Sequence, residues 1–227
     1  MQDLVKFVGT EGYAILADVL PQDEIAILAA ELSDPNLTRS RAGIRHAMKH
    51  PAVANVAGDS RLLGPARAVL GETALPYRAT LFDKSSNANW LVVWHQDKSL
   101  PLQARADRLD WGPWSVKEGI LYAHAPTRVL TQILALRVHL DDSTHENGPL
   151  RILPRTHSKG VLAEDAIHNL VQNTIPVECT VPRGGVLAMR PLIVHASSKS
   201  ETNKPRRVLH IEYAAAPIVD GFRLAIA

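Results

Sequence analysis

From residue 75 onward, short apolar runs alternate with turn-forming residues, and this pattern limits the fold more than any other feature of the chain. The runs are rich in β-branched and aromatic residues, as is typical of buried strands. They are interrupted by Gly, Pro and Asn at 146–149, 154, 182–185 and 203–205. About eight strands at such short spacing predict a sandwich or a closed jelly roll. In chain order the runs are YRATLF, NWLVVWH, TQILALRVHL, PLRIL, PVECTV, GVLAM, LIVHA and RRVLHIEYA.

The first 70 residues instead have the spacing of helices. Pro21 is followed by two acidic residues and then by IAILAAEL, which places proline and acids in a first helical turn. A second helix is predicted near 59–70. We therefore expect one domain over 1–227, with a mostly helical flank at 1–72 and a jelly-roll core at 73–216.

A long segment at 98–128 interrupts the predicted strands, and it contains the sequence Trp111-Gly112-Pro113-Trp114. Long irregular insertions beside a site are often lids or binding loops. We expect this insertion to be irregular and lid-like, and we expect Trp111, Trp114 and Tyr122 to line the pocket.

Composition excludes several classes of function. The 227 residues carry a net charge of only +2, which gives no general attraction to nucleic acid or to a membrane surface. No stretch approaches the roughly 20 apolar residues of a membrane span, and the N-terminus does not resemble a signal peptide. The single cysteine, Cys179, cannot form an intrachain disulfide. We expect a cytoplasmic protein that binds a small molecule.

Two of the apolar runs end in a histidine. His95 closes NWLVVWH and is followed by Gln96 and Asp97, whereas His195 closes LIVHA. Alternate residues of a strand share a face, so His95 and Asp97 are predicted to project together. They would be two ligands of one metal ion or a buried His–Asp hydrogen bond. With His195 they match the two-histidine, one-carboxylate triad of non-haem Fe(II) oxygenases.

Such oxygenases commonly use 2-oxoglutarate, whose far carboxylate needs a fixed cation. A guanidinium binds a carboxylate through two parallel hydrogen bonds, and Arg206 would fill this role with help from the hydroxyl of Ser197. The same three ligands would also suit zinc with an open position, which leaves a zinc-dependent hydrolase as an alternative. A non-catalytic jelly-roll protein that binds a metal or ligand is a further alternative.

Four segments resemble the phytanoyl-CoA dioxygenase family, to which ectoine hydroxylase belongs. They are WHQD, HLDDSTHENGPLRILPRTH, RPLIVHASS and PRRVLHIEY, in this order along the chain. The resemblance covers roughly 77–213 and implies a mainly β fold, the cupin-like double-stranded β-helix, with flanking N-terminal helices. It also implies Fe(II) on His95, Asp97 and His195, 2-oxoglutarate on Arg206 and Ser197, and O₂ as the second co-substrate.

The resemblance carries over three weaker assignments to the co-substrate site. Gln96 follows the first ligand, Lys84 lies eleven residues before it, and Arg78 stands where relatives often have a glutamine. Asp97 is retained, whereas halogenating relatives have a small residue there, so hydroxylation or a related oxidation is favoured. Arg155 replaces the glycine of the usual Pro-Gly-Ser-His, and the turn there is expected to differ because arginine is disfavoured at positive φ.

The substrate is the least constrained part of the prediction. Arg137 lies in an otherwise apolar strand and is expected to face the pocket, since a buried arginine needs a partner. Arg41 belongs to the basic stretch 38–50, which is a solvated face or a site for an anionic substrate. Trp90 and Trp94 are expected in the core. The sequence thus predicts hydroxylation of an unactivated C–H of a small, anionic metabolite, with release of succinate and CO₂, and leaves the oligomeric state open.

Overall fold

The computed structural model describes residues 1–40, 43–84 and 89–227. Six α-helices and three short 3₁₀ helices lie in these ranges. The α-helices are α1 (Gln2–Thr10), α2 (Gln22–Glu31), α3 (Pro51–Ala57), α4 (Ser60–Leu70), α5 (Thr127–Leu130) and α6 (Glu164–Asn173). The 3₁₀ helices span Ala47–Lys49, His145–Asn147 and Thr156–Lys159.

The strands of the described ranges form two larger and two smaller sheets. They are β1 (Tyr13–Leu16), β2 (Gly43–Ile44), β3 (Leu75–Lys84), β4 (Val92–His95), β5 (Ser99–Leu102), β6 (Trp114–Lys117), β7 (Ile120–His124), β8 (Ile133–His139), β9 (Leu150–Leu153), β10 (Val177–Cys179), β11 (Val186–Met189), β12 (Val194–Ser197), β13 (Arg206–Ala214), β14 (Ile218–Val219) and β15 (Phe222–Arg223). The large sheets have the orders β1-β11-β8-β13-β3-β2 and β10-β9-β12-β4. Their inner faces share one apolar cluster, so the predicted mainly β jelly roll is confirmed.

Side-chain alternation gives the six-stranded sheet an apolar outer face and a partly polar inner face. On β3, β8 and β13, one set of alternate residues packs against the N-terminal helices; it includes Leu81, Leu136 and Leu209. The other set faces the four-stranded sheet and includes Lys84 and Arg137. The helices therefore cover the outer face, and the polar residues are left for the interior between the two sheets.

The helical flank follows the prediction with one addition. The predicted second helix is α4, which begins after Asp59, whose carboxylate accepts a hydrogen bond from the backbone N of Arg61 at 2.8 Å. The flank also supplies β1 and β2 to the six-stranded sheet, where they pair with β11 and β3. Among the described residues, no helix has the length and apolar character needed to cross a membrane.

The insertion at 98–128 is not irregular as expected. It contains β5, β7 and β6, which form a three-stranded antiparallel sheet in which Ser99 lies opposite His124 and Trp114 opposite Ala123. These strands are only four or five residues long and β5 contains Pro101, so the sequence pattern does not predict them. A lid function for this sheet stays a prediction.

The turn at Arg155 keeps the left-handed conformation that a glycine would favour, with φ of 68°. The guanidinium of Arg155 is bonded to the carboxylate of Glu11 at 2.9 and 3.0 Å, and the backbone N of Arg155 donates to the carbonyl of Glu11 at 2.9 Å. Contacts with the end of α1 thus hold the arginine in a disfavoured backbone conformation, and a difference from the turn of the relatives stays a prediction.

Candidate metal centre

The three predicted metal ligands meet where β4 and β12 pair. His95 lies directly opposite His195 in this antiparallel pair, and their ring centroids are 4.2 Å apart. Asp97 follows β4, where its backbone N donates to the carbonyl of Pro191 at 2.9 Å. One carboxylate oxygen of Asp97 lies 3.6 Å from Nε2 of His95, and the other lies 3.6 Å from Nε2 of His195. All three ligand atoms lie within 4.8 Å of one another, which suits a single ion.

Backbone carbonyls fix which nitrogen each histidine offers. Nδ1 of His95 donates to the carbonyl of Val93 at 2.8 Å, and Nδ1 of His195 donates to the carbonyl of Ile193 at 2.9 Å. Both Nε2 atoms therefore keep a free lone pair that points toward Asp97. This second hydrogen bond is the usual way in which metal-binding histidines are oriented. The donor set thus fits a metal with open positions.

The charges of the three ligands are also those that a metal needs. Burial lowers the pKa of His195 to about 4, so this imidazole is neutral at neutral pH. Burial alone would raise the pKa of Asp97, but the neighbouring His195 and His95 outweigh it and hold this pKa well below its usual value. Burial opposes the charged form of His95, but Asp97 outweighs it and raises the pKa of His95. Acid should therefore disable the site first at His95.

A cavity between the two large sheets opens onto this triad. Five of the residues predicted from the sequence to bind the co-substrate or substrate line it: Arg78, Lys84, Arg137, Ser197 and Arg206. The sequence reasoning did not identify six further lining residues: Thr80, Phe82, Trp90, Val92, Leu150 and His210.

Arg206 lies at the end of the cavity that is built by the ENGPL segment. Its Nε donates to the carbonyl of Asn147 at 3.1 Å, and its Nη2 lies 3.4 Å from Oγ of Ser197. Ser197 donates to the carbonyl of Gly148 at 3.0 Å and accepts from Nζ of Lys84 at 2.8 Å. Burial, with the nearby charge of Arg137, lowers the pKa of Arg206 to about 10, so the group stays charged.

Arg78 differs from Arg206 because it is already neutralised. It forms an ion pair with the buried Glu212, donates to the carbonyl of Ser99 at 2.7 Å and lies 5.8 Å from the ring centroid of Tyr122. Tyr122 is buried behind Arg78, where its hydroxyl lies 3.0 Å from Nε2 of His46. Arg78 thus separates Tyr122 from the cavity, and Tyr122 is not part of the cavity lining.

The structure does not bring Gln96 to the cavity. Its side-chain amide donates to the carbonyls of Gly160 at 2.8 Å and Leu192 at 2.7 Å, and its carbonyl accepts from the backbone N of Leu162 at 2.8 Å. These bonds point the side chain away from Asp97. Gln96 thus fixes the loops behind the metal centre.

The tryptophans of the insertion lie elsewhere as well. Trp111 donates from Nε1 to the carboxylate of Asp220 at 2.8 Å, and its ring packs 4.4 Å from that of Phe222 between centroids. Trp114 packs against the same phenylalanine at 5.8 Å. Both belong to an apolar cluster under the small sheets, so neither lines the cavity. Arg41 lies outside the described residues.

Trp90 lines the cavity, contrary to the expectation that it is a core residue. Its ring centroid lies 5.5 Å from Nζ of Lys84. Trp94 packs instead with the apolar cluster of α6, beneath the guanidinium of Arg151. Trp90 and Trp94 are four residues apart and would share one face of a regular strand. The pairing is irregular, however: His195 lies opposite His95, but Ser197, two residues further along β12, lies opposite Val92, three residues back along the chain. This one extra residue reverses the face on which the preceding residues lie.

Comparison with known proteins gives one family. A family model described as Phytanoyl-CoA dioxygenase (PhyH) matches residues 9–208. Ectoine dioxygenase of Sphingopyxis alaskensis is 24% identical over 163 residues, which are 65% of this chain and 46% of that protein. L-proline trans-4-hydroxylase of Streptomyces griseoviridis is 25% identical over 178 residues, which are 67% of this chain and 59% of that protein. The chain thus spans about half the length of the curated relatives that it matches.

Solved structures share the fold. EctD from S. alaskensis, solved with 2-oxoglutarate and 5-hydroxyectoine, superposes with a TM-score of 0.71 at 21% identity, covering 94% of this chain and 76% of that one. The α-ketoglutarate-dependent epimerase SnoN from nogalamycin biosynthesis superposes with a TM-score of 0.72 at 17% identity, covering 98% of this chain and 85% of that one. At these identities the likeness shows the fold alone.

Proposed function

The chain belongs to the phytanoyl-CoA dioxygenase family, and from this premise we propose that it is an Fe(II)- and 2-oxoglutarate-dependent dioxygenase. The observation that carries the proposal is the position of Arg206. A buried arginine without a carboxylate partner among the described residues lies in the same cavity as a three-ligand metal site. A zinc hydrolase would need the metal site but would leave the arginine unexplained.

His95, Asp97 and His195 would hold the iron through two Nε2 atoms and one carboxylate oxygen. Bound Fe(II) and 2-oxoglutarate supply the oxidative chemistry, in which O₂ is consumed and succinate, CO₂ and a hydroxylated product are formed. Arg206 would bind the far carboxylate of 2-oxoglutarate, and Ser197 and Lys84 would complete that end of the site.

The cavity walls would exclude water from the reaction. Phe82, Trp90 and Leu150 line the same cavity as Arg206 and the metal ligands, so the co-substrate would contact apolar side chains as well as the buried cations. Electrostatic attraction to the buried cations is stronger there than in water.

The substrate would be a small, anionic metabolite that is hydroxylated at an unactivated C–H. Its size is suggested by two relatives whose names specify ectoine and L-proline. Its charge is suggested by the excess of cations in the cavity. A cytoplasmic, reducing location also belongs to this proposal; it agrees with Cys179 being a free, buried thiol whose pKa is raised to about 12 by burial.

The test is anaerobic reconstitution with Fe(II), followed by addition of 2-oxoglutarate. We expect a visible metal-to-ligand charge-transfer absorption that is absent in His195→Ala, and succinate formation once O₂ is admitted. Folded, iron-loaded protein without this absorption and without succinate would contradict the proposal. Metal-dependent hydrolysis without O₂ would favour a zinc hydrolase, and ligand binding without turnover would favour a binding protein.

A further inference from the structure

We propose that Arg137 is a second carboxylate receptor in the cavity, separate from Arg206 and positioned by His210. The inference rests on the proposed function, because it assigns a role inside the same site. The ligand would be a carboxylate close to the metal. Either the substrate or 2-oxoglutarate can supply it, the latter through the carboxylate beside its keto group. The structure favours the substrate.

The first observation is an imbalance of charge within the cavity lining. Among the described residues, Lys84, Arg137 and Arg206 have no carboxylate within ion-pair distance, although all three are buried. Two other arginines that are shielded from solvent have such partners, whereas the partly buried Arg190 bonds to backbone carbonyls instead. Arg78 pairs with Glu212, and Arg207 pairs with Asp141 at 2.8 Å. Buried charges normally require a partner, so ligands are expected to provide it here.

The second observation is that the guanidinium of Arg137 is held in place while some of its N–H donors have no hydrogen-bond partner. Its Nη1 donates to Nδ1 of His210 at 2.9 Å, and its Cζ lies 5.4 Å from the ring centroid of Phe82. Its Nε is buried without a partner. An aromatic face and one hydrogen bond fix the plane of the group, while N–H donors remain for a ligand.

The third observation is position. Arg137 lies opposite His210 in the pairing of β8 with β13, four residues along β13 from Arg206. Four residues of a strand span roughly 13 Å, so the backbones of the two arginines are well separated along the strand direction. Arg137 lies between the two ends of the cavity, since its charge acts on Asp97 and His195 at the metal end and on Lys84 and Arg206 at the other. Arg206 is on the side of Gly148 and Ser197.

The formal charges then favour the substrate as the source of the carboxylate. A ferrous ion with Asp97 leaves one positive charge, and Arg137 and Arg206 add two more. 2-Oxoglutarate neutralises two of these three charges. One further anionic group would balance the site, even with Lys84 counted as neutral.

The experiment uses protein loaded with Mn(II), which binds without turnover and relaxes the nuclei of nearby molecules. Calorimetric titration with 2-oxoglutarate is compared for the wild type, Arg137→Met, Arg137→Lys and Arg206→Met. The 2-oxoglutarate-saturated proteins are then mixed with propionate, and relaxation of the propionate protons is measured. Arg190→Met is the matched control, because Arg190 is a partly buried arginine that donates to the carbonyls of Thr131 and Ile133, away from the cavity.

If the substrate supplies the carboxylate, Arg137→Met abolishes propionate relaxation, Arg137→Lys restores part of it, and 2-oxoglutarate affinity changes by less than about twofold. If 2-oxoglutarate supplies it, Arg137→Met weakens 2-oxoglutarate binding at least about tenfold, as Arg206→Met does. Both results support a receptor role. Wild-type values for both ligands in folded Arg137→Met would overturn it. A wild type that binds Mn(II) but not 2-oxoglutarate would instead refute the proposed function, and propionate would still test Arg137.

Discussion

Arg78 and Glu212 face each other across β3 and β13 and form a buried ion pair at one end of the cavity. At pH 8, where the pair is ionised, removing one member would leave a buried charge without a partner or force Glu212 to take up a proton, which costs up to about 3–5 kcal/mol. We expect Arg78→Met and Glu212→Gln each to lower the free energy of unfolding by this order. The double variant should lose about 1–3 kcal/mol less than the sum of the two. Urea unfolding of the four proteins measures this difference, and strictly additive losses would show that the pair does not act as a unit.

The cost of Arg78→Met should also depend on pH. Burial raises the pKa of Glu212 to about 7 even with Arg78 beside it. A carboxyl whose folded pKa is raised is tolerated below its unfolded pKa of 4.5 and destabilises the fold as pH rises through the folded value. Arg78→Met should therefore be more costly at pH 8 than at pH 5. An equal cost at both values would mean that Glu212 is not the group left unpaired.

Gly148 is predicted to be essential for the Arg206 end of the cavity. Its φ is +66°, and an added Cβ would lie 2.4 Å from the carbonyl oxygen of Ser198. Gly148→Ala should push apart the segments that carry Ser197 and Asn147, and so weaken 2-oxoglutarate binding at least about tenfold while metal affinity is kept. Gly119→Ala is the control, since Gly119 also has positive φ but has nothing within 4 Å of an added Cβ. Equal effects of the two variants on 2-oxoglutarate affinity would contradict the prediction.

Lys84 should take up a proton when the co-substrate binds. Burial, with the charges of Arg206 and Arg137, lowers its pKa to about 7, so Lys84 is largely neutral at pH 8. A bound dianion favours the charged form, so binding at pH 8 should take up as much as about one proton, and affinity should fall as pH rises above 7. Calorimetry in buffers of different ionisation enthalpy measures this uptake. Lys84→Met should show none, and the same uptake in that variant would assign the proton to another group.

The ligand triad could be predicted from sequence because each member ends an apolar run or directly follows one. The polar part of the inner face also follows from the sequence, since Arg78, Thr80 and Lys84 of β3 stand at alternate positions, as do Arg206, His210 and Glu212 of β13. Trp90 was missed for a local reason. Strict alternation from His95 would point Val93 and Leu91 inward, but the irregularity in β4 shifts the pattern, so Val92 lines the cavity while Val93 is exposed. An irregularity of one residue cannot be read from composition.

The ENGPL segment could be recognised but not explained without the fold. The segment contributes two backbone carbonyls to the site: that of Asn147 accepts a hydrogen bond from Arg206, and that of Gly148 accepts one from Ser197. Residue types predict side-chain chemistry, whereas the direction of a carbonyl depends on the turn that presents it. His210 was missed for a related reason, because its role arises from its register opposite Arg137.

Asp97 and Arg206 should separate metal binding from co-substrate binding. Asp97→Ala removes a ligand, so metal affinity should fall at least about 100-fold, beyond the effect typical of residues that merely orient ligands. Arg206→Ala should leave metal affinity within about twofold but weaken 2-oxoglutarate binding by about 10–100-fold, since it removes a charged hydrogen-bond donor. Arg207→Ala is the matched control, because Arg207 is the next residue of β13, faces the other way and bonds to Asp141. Its 2-oxoglutarate affinity should equal that of the wild type. Metal and 2-oxoglutarate titrations of the three variants test the assignment, and an equal loss of both ligands in Arg206→Ala would place Arg206 among the groups that support the metal.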